Sequence, residues 1–94
     1  MENAEAKPCE NDYRHMCRWV QRALKKILKK GQVSNANPSY HDLMNSYDGG
    51  TSIDQYLYLN ASWVCLRRIE MDLFLTAKNC CPRHANITIL PGYK

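Results

Sequence analysis

Residues 56–78 read YLYLNASWVCLRRIEMDLFLTAK. At the odd positions stand Leu57, Leu59, Ala61, Trp63, Cys65, Arg67, Ile69, Met71, Leu73, Leu75 and Ala77, and among them Arg67 alone is polar. The even positions mix Asn60, Ser62, Arg68, Glu70, Asp72, Thr76 and Lys78 with Tyr56, Tyr58, Val64, Leu66 and Phe74. A period of two sorts side chains onto the opposite faces of a pleated strand, whereas a helix scatters them round its axis. The alternation therefore predicts β-structure. One strand of this length does not suit a small domain, so a hairpin is expected. A three-residue turn keeps the apolar face on one parity, while a two-residue turn reverses it. Leu66-Arg67-Arg68 is the preferred turn and Asn60-Ala61-Ser62 the alternative, although neither contains glycine.

Downstream, Cys80-Cys81-Pro82-Arg83-His84 reads as a turn. Residues 85–90, with Ile87 and Ile89, read as a third strand closed by Pro91-Gly92. Upstream, Asn37-Pro38 offers a cap and a first-turn proline to a short helix whose face holds Tyr40, Leu43, Met44 and Tyr47. Asp48-Gly49-Gly50 ends that helix, and residues 32–37 form the loop before it.

Residues 12–30 carry the plainest helical pattern. Asn11 or Asp12 can cap the start, and Gly31 is a natural stop after Lys29 and Lys30. Tyr13, Met16, Cys17, Val20, Ala23, Leu24, Ile27 and Leu28 recur at steps of three and four and form an apolar stripe. Arg14, Arg18, Arg22, Lys25 and Lys29 form the opposite stripe, with Lys26 and Lys30 beside it and Trp19 at the border. The fold expected is α+β: a basic N-terminal amphipathic helix and a short second helix packed on a small antiparallel sheet of two to three strands. The 94 residues suit a tail over 1–10 and one domain over 11–94.

Charge is distributed unevenly. Residues 13–30 hold seven bases and no acid, residues 1–12 hold four acids and one base, and residues 31–94 hold five of each. A helix face with a cation every three or four residues can meet several phosphates of a nucleic acid and release their counterions. Trp19 could stack on a base, and Arg67 and Arg68 add charge from the expected hairpin tip. RNA is the expected ligand, bound without sequence specificity, because no zinc-finger, zipper or helix-turn-helix pattern for DNA stands out. A homodimer is expected to set two such helices on one ligand. A solvated charged face is the bland alternative, and a membrane-surface or calmodulin-like helix is a third.

Tyr56, Tyr58 and Phe74 share the even face of the expected sheet, which suits a dimer seam or capture of a host protein. That is the rival reading: an adaptor that works through an aromatic surface. Cys80, Cys81 and His84 are weak zinc candidates, since no second ligand pair has matching spacing. No phosphate-cradling loop, nucleophile elbow or HExxH motif is present, so no enzyme and no cofactor is expected. No signal sequence and no apolar run long enough to cross a bilayer is seen. Five cysteines then fit a reducing compartment, cytoplasmic or nuclear. Small size without a catalytic motif resembles viral accessory proteins, for which holding duplex RNA away from silencing or sensing is a fitting task.

Overall fold

The stretch that alternates is helical. In the computed structural model, which describes the backbone of residues 8–80 and the side chains of residues 13–76, four helices and no strand are present among the described residues. They are α1 (Pro8–Lys30), α2 (Tyr40–Ser46), α3 (Ile53–Asn60) and α4 (Trp63–Cys80). The expected α+β sheet is thus corrected to an all-helical fold. The third strand expected over residues 85–90 lies outside the described residues.

The physical reason is that a step of four also preserves parity. Leu57, Ala61, Cys65, Ile69 and Leu73 lie four apart and are all buried. Tyr58, Ser62, Leu66 and Glu70 repeat the same step one residue later and are buried too. Together they make one broad helical stripe, interrupted only at the joint Ala61-Ser62. The remaining odd residues looked like the rest of a strand face, yet Leu59, Met71 and Leu75 are exposed. Two sets of period four imitate one set of period two. Leu, Arg, Glu and Met, all good helix formers, dominate residues 66–75, and no glycine or proline interrupts residues 51–81.

Both expected hairpin turns take other roles. Leu66-Arg67-Arg68 lies within α4, and Asn60-Ala61-Ser62 is the bend between α3 and α4. Ser62 caps α4: its Oγ accepts from the Cys65 N–H at 3.1 Å and donates to Asn37 Oδ1 at 2.7 Å. The Ser62 N–H donates to Ala36 O at 2.9 Å. The loop before α2 therefore lies along the bend and satisfies its polar groups, and a cap of this kind contributes about 1 kcal/mol.

α1 starts earlier than its sequence caps suggested, at Pro8, and stops as expected. Gly31 takes φ +94°, its N–H donates to Ile27 O, and its carbonyl accepts from Tyr58 Oη at 3.1 Å. α2 is capped by Ser39, whose Oγ accepts from the Asp42 N–H, rather than by Asn37.

α1 packs against α4 and α3. Gln21 donates to Glu70 at 2.7 Å, and Gln32 near the end of α1 accepts from the Trp63 N–H at the start of α4, so the two long helices run antiparallel. Val20, Ala23, Leu24 and Ile27 meet Leu57, Tyr58, Leu66, Ile69 and Leu73 in one core. Fully buried Leu24 and Leu57 contribute about 1.5–3 kcal/mol each before ordering entropy. Leu28, expected in that stripe, is 69 % exposed. It stands one residue past Ile27 and about 100° round the helix from it.

Candidate nucleic-acid interface

With its apolar stripe fixed in the core, α1 has only one way to turn its cations. Arg18, Arg22, Lys25 and Lys29 are all exposed, at steps of four, three and four, and Lys30 is exposed beside them. At 1.5 Å per residue the row spans about 16 Å. Among the described residues no carboxylate pairs with any of these five. Arg22, Lys25, Lys26 and Lys29 line a shallow depression of about 250 Å3, with Asp54 of α3 as its acidic member.

The other predicted cations are placed differently. Lys26 is half-buried and ties α1 to α3 through Asp54 at 3.1 Å and Gln55 at 2.6 Å. Burial alone would raise the Asp54 carboxyl. The hydrogen bond and charge of Lys26, with bonds from its own backbone and Ser52, outweigh burial and hold it below the ordinary range. That stabilisation is present above the ordinary carboxylate range and is lost as pH falls through Asp54's lowered value. Arg14 is half-buried and engaged within the protein. Arg67 pairs with Glu70, while Arg68 is exposed on α4. Neither is a hairpin tip, and both are on a different helix from the row.

Trp19 is half-buried, packed on the core, and stacked on His15 with ring centroids 6.2 Å apart. Exposed His15 lies three residues before Arg18 and so extends the row by a turn. The same spacing is present in the sequence, but a histidine does not stand out among arginines and lysines.

The sheet face expected to carry the aromatics is absent among the described residues. Tyr56 and Tyr58 belong to α3 and Phe74 to α4. Tyr58 is buried, Tyr56 packs on the core and meets Tyr47 edge-on at 5.4 Å, and Phe74 is half-buried. Likewise Val20, Leu24 and Ile27 are occupied in the core, so α1 does not offer its apolar side to a lipid surface or a helix-binding groove.

No group of three or more His, Cys, Asp or Glu among the described residues could hold a metal. Cys81 and His84 lie outside the described residues, as does the side chain of Cys80. Cys17 and Cys65 are free thiols inside the core. Burial, with a contribution from the Glu70 charge, pushes Cys17 from 9.0 up to about 12. Burial raises Cys65 as well, partly offset by Arg68. Both thiols are expected to resist alkylation at pH 8 in the folded chain and to react once it is denatured, as mass spectrometry of the adducts would show. As pH rises from 9 towards 12, the unfolded Cys17 ionises and the folded one does not, so stability declines over that window.

Among the described residues no helix is long and apolar enough to cross a membrane. Comparisons with protein-family models, with curated proteins and with solved structures find no match.

Proposed function

We propose that the chain binds RNA by its phosphate backbone, through Arg18, Arg22, Lys25, Lys29 and Lys30. The supporting observation is the exposed row itself, four cations along one helix side with Lys30 beside its end, and no carboxylate paired to any of the five among the described residues. Like charges three and four residues apart destabilise a helix by about 0.2–0.5 kcal/mol per pair. Arg18–Arg22, Arg22–Lys25 and Lys25–Lys29 are three such pairs. A polyanion reverses that repulsion, whereas a merely solvated face gains nothing from it.

The row carries no side chain suited to reading base edges apart from its arginines, so recognition is of backbone and shape, which suits holding duplex RNA irrespective of sequence. DNA readers that use consecutive helices place their contacts on the second helix of a short-linked pair. Here the cations concentrate on α1, which a long loop separates from α2. Nothing specific favours the adaptor reading, since Tyr58 is buried and Tyr56 and Phe74 are half-buried on different helices.

Fluorescence anisotropy with labelled duplex RNA, single-stranded RNA and duplex DNA at two salt concentrations tests the proposal. Five phosphate contacts give a slope of log affinity on log salt of roughly −4.5 for a duplex and roughly −3.5 for a single strand. A fourfold rise in salt then weakens binding roughly a hundredfold to five-hundredfold. Absent or salt-insensitive binding refutes it, and tighter binding to DNA corrects the ligand.

A further inference from the structure

α4 has a second surface that the cation row does not use. Val64, Met71 and Leu75 are large, apolar, and 65, 40 and 50 % exposed. At about 100° and 1.5 Å per residue they fall within about 40° of one another and run about 16 Å along the helix. Arg68 and Asp72 border this strip on a single flank, both exposed, and neither makes an ion pair among the described residues. Beside that flank opens a depression of about 200 Å3, walled by Pro38, Tyr40, Ile69 and Leu73.

We propose that the strip is the contact surface of a homodimer in which α4 pairs antiparallel with α4 of a second copy, about a twofold axis at the level of Glu70. The charge pattern selects this occupant. When two identical helices pair antiparallel, the same flank of each comes together, in reverse order. An axis at residue 70 sets Arg68 against the partner's Asp72 and Asp72 against the partner's Arg68. In that register Met71 meets the partner's Met71 beside the axis, and Val64 falls within one residue of the partner's Leu75. One register thus satisfies the apolar residues and both charge pairs. A parallel pairing would instead put the two Arg68–Asp72 flanks on opposite sides of the seam, where neither charge pair forms. The neighbouring depression gives room for side chains at the edge of the contact. A single helix face of this length is smaller than the roughly 800 Å2 per partner of a standard interface, so association belongs in the micromolar range. The strip is on α4 and the cations are on α1, so the inference stands apart from RNA binding.

Sedimentation velocity of the full chain, from low to high micromolar concentration, reads the association. The wild type is expected to pass from monomer to dimer. Arg68→Asp alone and Asp72→Arg alone place like charges across the axis, and each is expected to weaken the dimer roughly tenfold or more. The double variant, Arg68→Asp with Asp72→Arg, restores opposite charges and is expected to recover it. Circular dichroism identifies any variant that fails to fold, and recovery in the double variant cannot come from such a failure. A wild type that stays monomeric throughout overturns the proposal and leaves the strip to another occupant. A dimer indifferent to both single reversals, or a double variant no better than the singles, overturns it equally.

Discussion

Arg18→Glu combined with Lys25→Glu is expected to abolish RNA binding and leave the fold intact. Both side chains are exposed and neither joins an ion pair among the described residues, so their replacement breaks no ion pair there. The change removes two of the five exposed cations and inserts two anions among the rest. Each lost phosphate contact lowers the salt slope by roughly 0.9 for a duplex, and the inserted charges repel the backbone. Affinity at low salt is expected to fall roughly a hundredfold or more. Helicity and thermal midpoint should stay close to the wild type, or rise, since the reversed charges sit three or four residues from Arg14, Arg22 and Lys29. Anisotropy and circular dichroism on the same sample read both halves. Undiminished affinity would remove α1 from the interface.

Glu70→Ala is expected to damage the fold itself. Glu70 is fully buried between α1 and α4, accepts from Gln21 at 2.7 Å and pairs with Arg67, whose side chain is 21 % exposed. Deleting one partner of a buried pair costs about 3–5 kcal/mol, and the partial exposure of Arg67 moves the expectation to the lower end. Against a total stability of about 5–15 kcal/mol, such a loss is large. Glu70→Gln keeps the shape and one acceptor, and should cost about half as much. Urea denaturation of both variants measures the difference. A change under about 1 kcal/mol for Glu70→Ala would mean that the network adds nothing to stability.

The sequence reveals α1 because its period, its Gly31 stop and its charge segregation agree with one another. Val20, Ala23, Leu24 and Ile27 are buried, and Arg18, Arg22, Lys25 and Lys29 are exposed, as the stripes require. It hides α3 and α4 because three features coincide there. Buried residues spaced by four share parity, the outer side of α4 carries Val64, Met71 and Leu75 where polar residues would mark a helix, and a carboxylate sits in the core at Glu70. The absence of glycine from either hairpin turn is the local signal against strands that the sequence does carry. The site was legible only in part. Charge alone does not reveal that Lys26 engages Asp54, 28 residues away, and the Arg67–Glu70 pair, three apart, is legible only once the segment is known to be helical.

The Gln21–Glu70 bond joins residues 49 apart in the chain. During synthesis α1 leaves the ribosome well before α4 exists. At about 5–20 residues per second the delay lasts roughly 2–10 seconds. For most of that interval the helix has neither α3 nor α4 to cover its oily side, and helices in proteins draw most of their stability from such packing. The packing that fixes the cation row is therefore complete only after translation has passed α4, and a product terminated before it would carry the charge on a less firmly held helix.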